Sequence, residues 1–394
     1  MTAMNVPTML ADFLEFVTPK SIHKSRMSSL CAAMQSLVSN GKCTVTAIGR
    51  GIQSSATEKS CIKRADRLLS NQAFLEEIPF IYAALTTSLI KTKQPLILID
   101  WSNADDKKRH MILRASLALE GRSLTLLQEV KSMDDYNCPH VHAAFLLRLK
   151  AQLPEDCRPV IVTDAGFKVP WLKQIRKMGW HYIGRVRGNQ TLQLSDSESF
   201  ISVSTLYKKA KTTPQNLGRI KLTRSQSYVT TAVLVGTGWK LRKRDRHKAY
   251  KEPWLLVSSL PQVSDYARKI AKCYNARMQI EESFRDQKSQ TYGLGSNAHK
   301  TYKIDRLRSL LLLAALANWL HYMLGLAIEI SGQHRTLQAN SITHRRVLSF
   351  NYVGQRLCRL ARFSINGEHI LAAIRQILTW AGMWDWKSVS VLSD

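Results

Sequence analysis

Two short runs constrain this chain most: residues 95–100 (PLILID) and 160–164 (VIVTD). Each is nearly all apolar until it closes on an aspartate. A strand with no polar face is buried on both sides, which places it inside a sheet with helices packed over it. Residues 110–119 and 123–130 read as two more strands, joined by Glu120-Gly121-Arg122. Residues 141–153 and 169–178 read as helices, and 180–187 as another strand. Three strands, a helix, a strand, a helix and a strand make an α/β layered domain.

That order matches the ribonuclease-H-like core, and the chain around it divides by texture. Residues 1–90 form a helical region. Within it, residues 21–38 carry apolar side chains at helical spacing and stop at Asn40-Gly41. Residues 44–50 and 57–69 follow as two short helices around a turn. The second bears Lys63, Arg64 and Arg67, which suggests a helix-turn-helix-like DNA reader; the alternative is a helical bundle with a solvated basic face. The catalytic domain is expected over 91–302, interrupted at about 190–260 by a basic, strand-rich insertion with runs at 219–223, 228–235 and 254–260. A single long helix is expected from Val263 to about Ser289. Residues 303–394 are mostly helical and apolar, a region for dimerisation or contacts to DNA ends.

Charge narrows the partners. The chain has 57 Lys and Arg against 29 Asp and Glu, a net +28. Such an excess points to a polyanion and away from small-molecule metabolism. Residues 205–251 hold 13 Lys and Arg and one acid. The loop KLRKRDRHKAYK within them, with Arg242, Lys243, Arg244 and Arg246, suits phosphate. The seven cysteines are scattered without a C-x-x-C pair, which argues against a disulfide framework or a zinc module and fits a reducing cytoplasm. No secretory signal is read at the N-terminus. Residues 310–330 are apolar over the length of a bilayer span, but Asn318 and His321 interrupt them; a buried helix in a large all-helical core is expected, with no membrane role.

Three carboxylates carry the expected chemistry. Asp100 and Asp164 end strands of one sheet, where sites of open α/β sheets form. Two acids there repel unless cations neutralise them, and hard oxygen ligands suit Mg²⁺ or Mn²⁺. On an unbroken helix, Tyr274, Arg277, Glu281 and Lys288 fall within one stripe about 60° wide. Glu282 and Asp286 point away from that stripe.

Tyr274-x2-Arg277-x3-Glu281-x6-Lys288 resembles the signature of bacterial insertion-sequence transposases of the DDE class. LILIDWS around Asp100 and VIVTDAGF around Asp164 are similar to that family too. The spacings of 64 and then 117 residues between the acids fit the branch with a β-strand insertion, and the chain is especially similar to the cut-and-paste transposase of the tetracycline-resistance transposon. The resemblance implies two ions held by Asp100, Asp164 and Glu281, and double-stranded DNA as partner, both transposon end and target. It implies nicking, hairpin formation and opening, then strand transfer, by a homodimer on DNA. Tyr274, Arg277 and Lys288 would grip phosphates. Arg185 and Arg187, read from their place at the end of a strand near the inferred site, either contact the DNA backbone or line a solvated edge. Trp254 would offer a platform for a flipped base, against the plainer alternative of a core tryptophan on a strand.

Overall fold

The structure is a computed structural model that describes residues 6–188, 190–237, 252–339, 341–342, 345–360, 363–384 and 386. The described residues open with five helices, α1 (Val6–Val17), α2 (Lys24–Asn40), α3 (Val45–Arg50), α4 (Glu58–Leu69) and α5 (Gln72–Leu89). Thr44, Thr57 and Asn71 cap α3, α4 and α5 by accepting from backbone N–H groups of the first turn. Gly41 ends α2 in the left-handed region at φ 64°, as the Asn40-Gly41 pair predicts.

The sheet begins with β1 (Leu96–Asn103), β2 (His110–Ala118) and β3 (Ser123–Ser132). Then come α6 (Pro139–Gln152), β4 (Val160–Thr163), α7 (Val169–Lys177) and β5 (His181–Val186). The insertion supplies β6 (Thr191–Leu194), β7 (Ile201–Ser202), α8 (Val203–Tyr207), β8 (Gln215–Leu222) and β9 (Tyr228–Val235). After it, β10 (Trp254–Ser258) leads into α9 (Tyr266–Asn275) and α10 (Met278–Lys288). Among the described residues, the strands join one ten-stranded sheet in the order β3-β2-β1-β4-β5-β10-β9-β8-β6-β7. The first three pair antiparallel, and β1, β4 and β5 run parallel. That is the ribonuclease-H-like arrangement, and the insertion lengthens the same sheet through β10 beside β5.

Two expectations need correction. β1 does not end at Asp100; it stays paired with β2 as far as Asn103 opposite Met111. The parallel pairing stops at Ile99 opposite Thr163, so Asp100 and Asp164 still come next on neighbouring strands. The expected long helix is broken in two. Arg277, Gln279 and Ile280 donate three residues back, to Tyr274, Ala276 and Arg277, rather than four. This tighter turn separates α9 from α10 and takes Tyr274 off the helix that carries Glu281.

The rest is α11 (Ile304–Ile330), α12 (Phe350–Arg359) and α13 (Gly367–Gly382). α11 is long and apolar enough to cross a membrane, yet 83% of its most apolar window is buried inside the protein. It packs on α2, α4, α5, α12, α13 and β3. Its neighbours thus include a strand as well as helices.

Candidate active site

The sheet sets the first two acids side by side. The Trp101 N–H donates to Asp100 Oδ1 at 2.8 Å, and the Gly166 N–H donates to Asp164 Oδ1 at 2.8 Å. Burial raises the Asp100 pKa strongly, the neighbouring Asp164 charge raises it further, and Arg277 works the other way.

Glu281 reaches this pair through an arginine. Arg277 sits at the break before α10 and is only 12% exposed. Its Nη1 donates to Asp100 Oδ2 at 3.2 Å, and its Nη2 donates to Glu281 Oε1. One guanidinium therefore bridges two of the three acids.

The donor chemistry of Asp100 and Asp164 fits a hard divalent cation: oxygen-only, adjacent, and mutually repelling. Glu281 is engaged with Arg277. Among the described residues, no group of three His, Cys, Asp or Glu side chains is arranged around one ion position.

Helix α10 is docked by polar groups on the face that meets the β2–β3 hairpin. Gln279 receives the Leu119 N–H and donates to the Leu119 carbonyl, at 2.9 and 2.8 Å. Ser283 bonds to the backbone and hydroxyl of Ser123. Asp286 accepts from Arg122 Nε at 2.6 Å, and Gln287 accepts from Arg114. Positions 279, 283, 286 and 287 follow helical spacing, so one stripe holds the helix in register. Glu282 and Asp286 were expected to face solvent or make local pairs; Asp286 is instead buried against Arg122 of the β2–β3 hairpin, while Glu282 pairs with Arg122 and, locally, with Arg285.

The other expected residues fall as follows. Lys288 donates to Ser102 Oγ on β1 at 2.6 Å, and burial pushes its pKa down to about 8. Tyr274 is 3% exposed and lies under the Arg277 guanidinium, 5.8 Å from its ring centroid. Trp254 is 4% exposed and meets Tyr274 edge-on at 5.0 Å. An exposed stacking platform was expected there; the structure has the core tryptophan, because β10 is an interior strand between β5 and β9. Arg185 and Arg187 were expected on phosphate, but both pair with Glu252. Arg242, Lys243, Arg244 and Arg246 lie outside the described residues. On α4, Lys63 and Arg67 are exposed, whereas Arg64 donates to Ser28 and Ser29 of α2.

Sequence reasoning missed two supports. His142 is buried beside the site: its Nε2 accepts from Trp101 Nε1 at 3.0 Å, and its ring stacks on Phe167. Arg114 is fully buried, bonded to Gln128 and Gln287 and lying over the Phe284 ring at 4.1 Å. Burial pushes its pKa down to about 9. An arginine in the apolar run HMILRASLAL was the available signal.

The model of the transposase DDE domain family matches residues 88–320, which is more than half of the chain and includes all three acids. The chain belongs to that family: it is an enzyme of DNA transposition, dependent on divalent metal. No curated protein matches it. It is similar to a cryo-EM structure of a piggyBac transposase synaptic complex with hairpin DNA, at 10% identity and a TM-score of 0.42, over 94% of this chain and 85% of that one.

Proposed function

We propose that this chain is a cut-and-paste transposase of the bacterial branch with the Tyr-Arg-Glu-Lys signature, similar to that of the tetracycline-resistance transposon. Asp100, Asp164 and Glu281 are its catalytic acids and would hold two Mg²⁺ or Mn²⁺ ions. When bound, the ions activate the attacking oxygen and stabilise the leaving one. The acids would serve four phosphoryl transfers in turn: nicking at the element's end, attack of the freed 3′-OH on the opposite strand, opening of that hairpin, and joining to target DNA. A homodimer would hold the two ends, in the bacterial cytoplasm. Arg277 and Lys288 would turn from their protein partners to the DNA backbone, with Tyr274 and Trp254 packed behind Arg277.

The observation that carries this reading is the register of β1 against β4, which sets Asp100 beside Asp164, with Arg277 tying Glu281 to the pair. The test uses the inverted repeat bordering the gene as a labelled duplex with Mg²⁺, resolved on a denaturing gel. Asp100→Ala, Asp164→Ala and Glu281→Ala should each abolish nicking while retaining end binding. Glu282→Ala, which removes pairs with Arg122 and Arg285 but leaves the Arg122–Asp286 pair, should keep most activity. An active Glu281→Ala enzyme would overturn the assignment. Nicks that never become hairpins or joined products would reduce the protein to a nuclease.

A further inference from the structure

The turn between β1 and β2 carries Lys107, Lys108 and Arg109, all exposed. It is well braced. Buried Asp105 accepts from His110 Nδ1 at 3.2 Å and from the Arg109 N–H. Asp106 accepts from Asn297 Nδ2 at 3.3 Å, and the Ala104 carbonyl accepts from His299 Nε2 at 3.0 Å. The Arg109 guanidinium lies over the Tyr302 ring at 4.0 Å. The turn is thus locked to the strap of residues 297–303, which adds exposed Lys300 and Lys303.

Both acids of the turn are therefore occupied by protein groups. Among the described residues, Lys107, Lys108, Lys300 and Lys303 have no acidic partner. Tyr302 is 56% exposed among them. Cations interleaved with an exposed aromatic on a rigid support suit a nucleic-acid backbone.

The two ends of this patch give it direction. One end adjoins β1, where Lys288 meets Ser102, two residues beyond Asp100. The other runs into α11, where Arg306 pairs with Asp66 of α4 at 3.0 Å and donates to Ser70. Lys63 lies one turn before Asp66, on nearly the same side of α4.

We propose that the turn at 106–109 and the strap at 300–303 form a phosphate-binding bridge, leading the DNA duplex held by α4 to the catalytic acids. The bridge sets the distance between the sequence that is read and the phosphate that is cut. It rests on α4 holding DNA and on the acids cutting it.

The test is hydroxyl-radical footprinting of the full-length protein on the labelled inverted-repeat duplex, comparing wild type with the variant Lys107→Ala/Lys108→Ala/Lys300→Ala/Lys303→Ala. These side chains are exposed, and an unchanged melting temperature checks the fold. The variant should keep the α4 footprint and lose protection between it and the scissile phosphate. The slope of log affinity against log salt should fall by up to about 3.6 units, about 0.9 for each lysine lost. Arginine at the same four positions should restore both. Undiminished protection in the variant, or its absence in wild type beside an intact α4 footprint, overturns the bridge. No footprint at all in wild type overturns the reading of α4 itself.

Discussion

Close to the acids, one buried side chain ties stability to pH. His142 must be neutral to accept the Trp101 indole N–H, and burial pushes its pKa down to about 4. The unfolded chain takes up this proton near the ordinary value of about 6.5. Between those values the unfolded state binds more protons, so stability rises with pH. The contribution is complete above pH of about 6.5 and is lost as the pH falls towards 4. Urea unfolding across that window should show wild type losing stability that His142→Gln, which does not titrate, retains; parallel curves would remove His142 from the account. Single residues also show what the sequence could not reveal. The neighbouring placement of Asp100 and Asp164 was legible because each closes an apolar run. Trp254 was not, because a tryptophan looks the same on a strand whether its sheet continues on one side or both. Arg277 was legible as a cation near Glu281, but its bridge to Asp100 spans 177 residues and needed the fold.

Among the elements, the most apolar strands read best: residues 160–163 and 228–235 were found to the residue, whereas β1 runs on to Asn103 and β8 begins at Gln215, ahead of the expected run at 219–223. The break between α9 and α10 left no trace, since Asn275, Ala276 and Arg277 include no glycine or proline to mark it. The docking stripe on α10 was hidden too, because Gln279 and Ser283 are ordinary surface residues by composition. That stripe makes α10 sensitive to one surface-looking arginine. Arg122→Ala should leave buried Asp286 without its partner and cost about 3 kcal/mol. The double change Arg122→Met/Asp286→Leu should recover most of this, because it removes both charges. Chemical denaturation of the three proteins checks it, and a mild single variant would mean that the stripe does not hold the helix.

For the molecule as a whole, α11 is the common centre. Trp319 donates to the Thr125 carbonyl of β3, Tyr322 to that of Glu120, and Cys43, in the connection between α2 and α3, to that of Leu310. Against α12 the backbones meet directly: a Cβ on Gly325 would lie 1.9 Å from the Phe350 oxygen, and one on Gly354 1.9 Å from the His321 oxygen. Gly325→Ala should therefore force the helices apart at a cost of about 3 kcal/mol. The N-terminal helices should melt together with the sheet in one transition, as calorimetry can show. A separate early transition for residues 6–89 would contradict a shared core. This arrangement also bears on synthesis. A ribosome adds about 5–20 residues per second, so the N-terminal helices and the first five strands leave the exit tunnel seconds before α11. In that interval the nascent chain has no centre to close around, and its apolar surfaces stay open. Native packing is expected only once α11 has been made, and until then the nascent chain is expected to expose apolar surface of the kind chaperones bind.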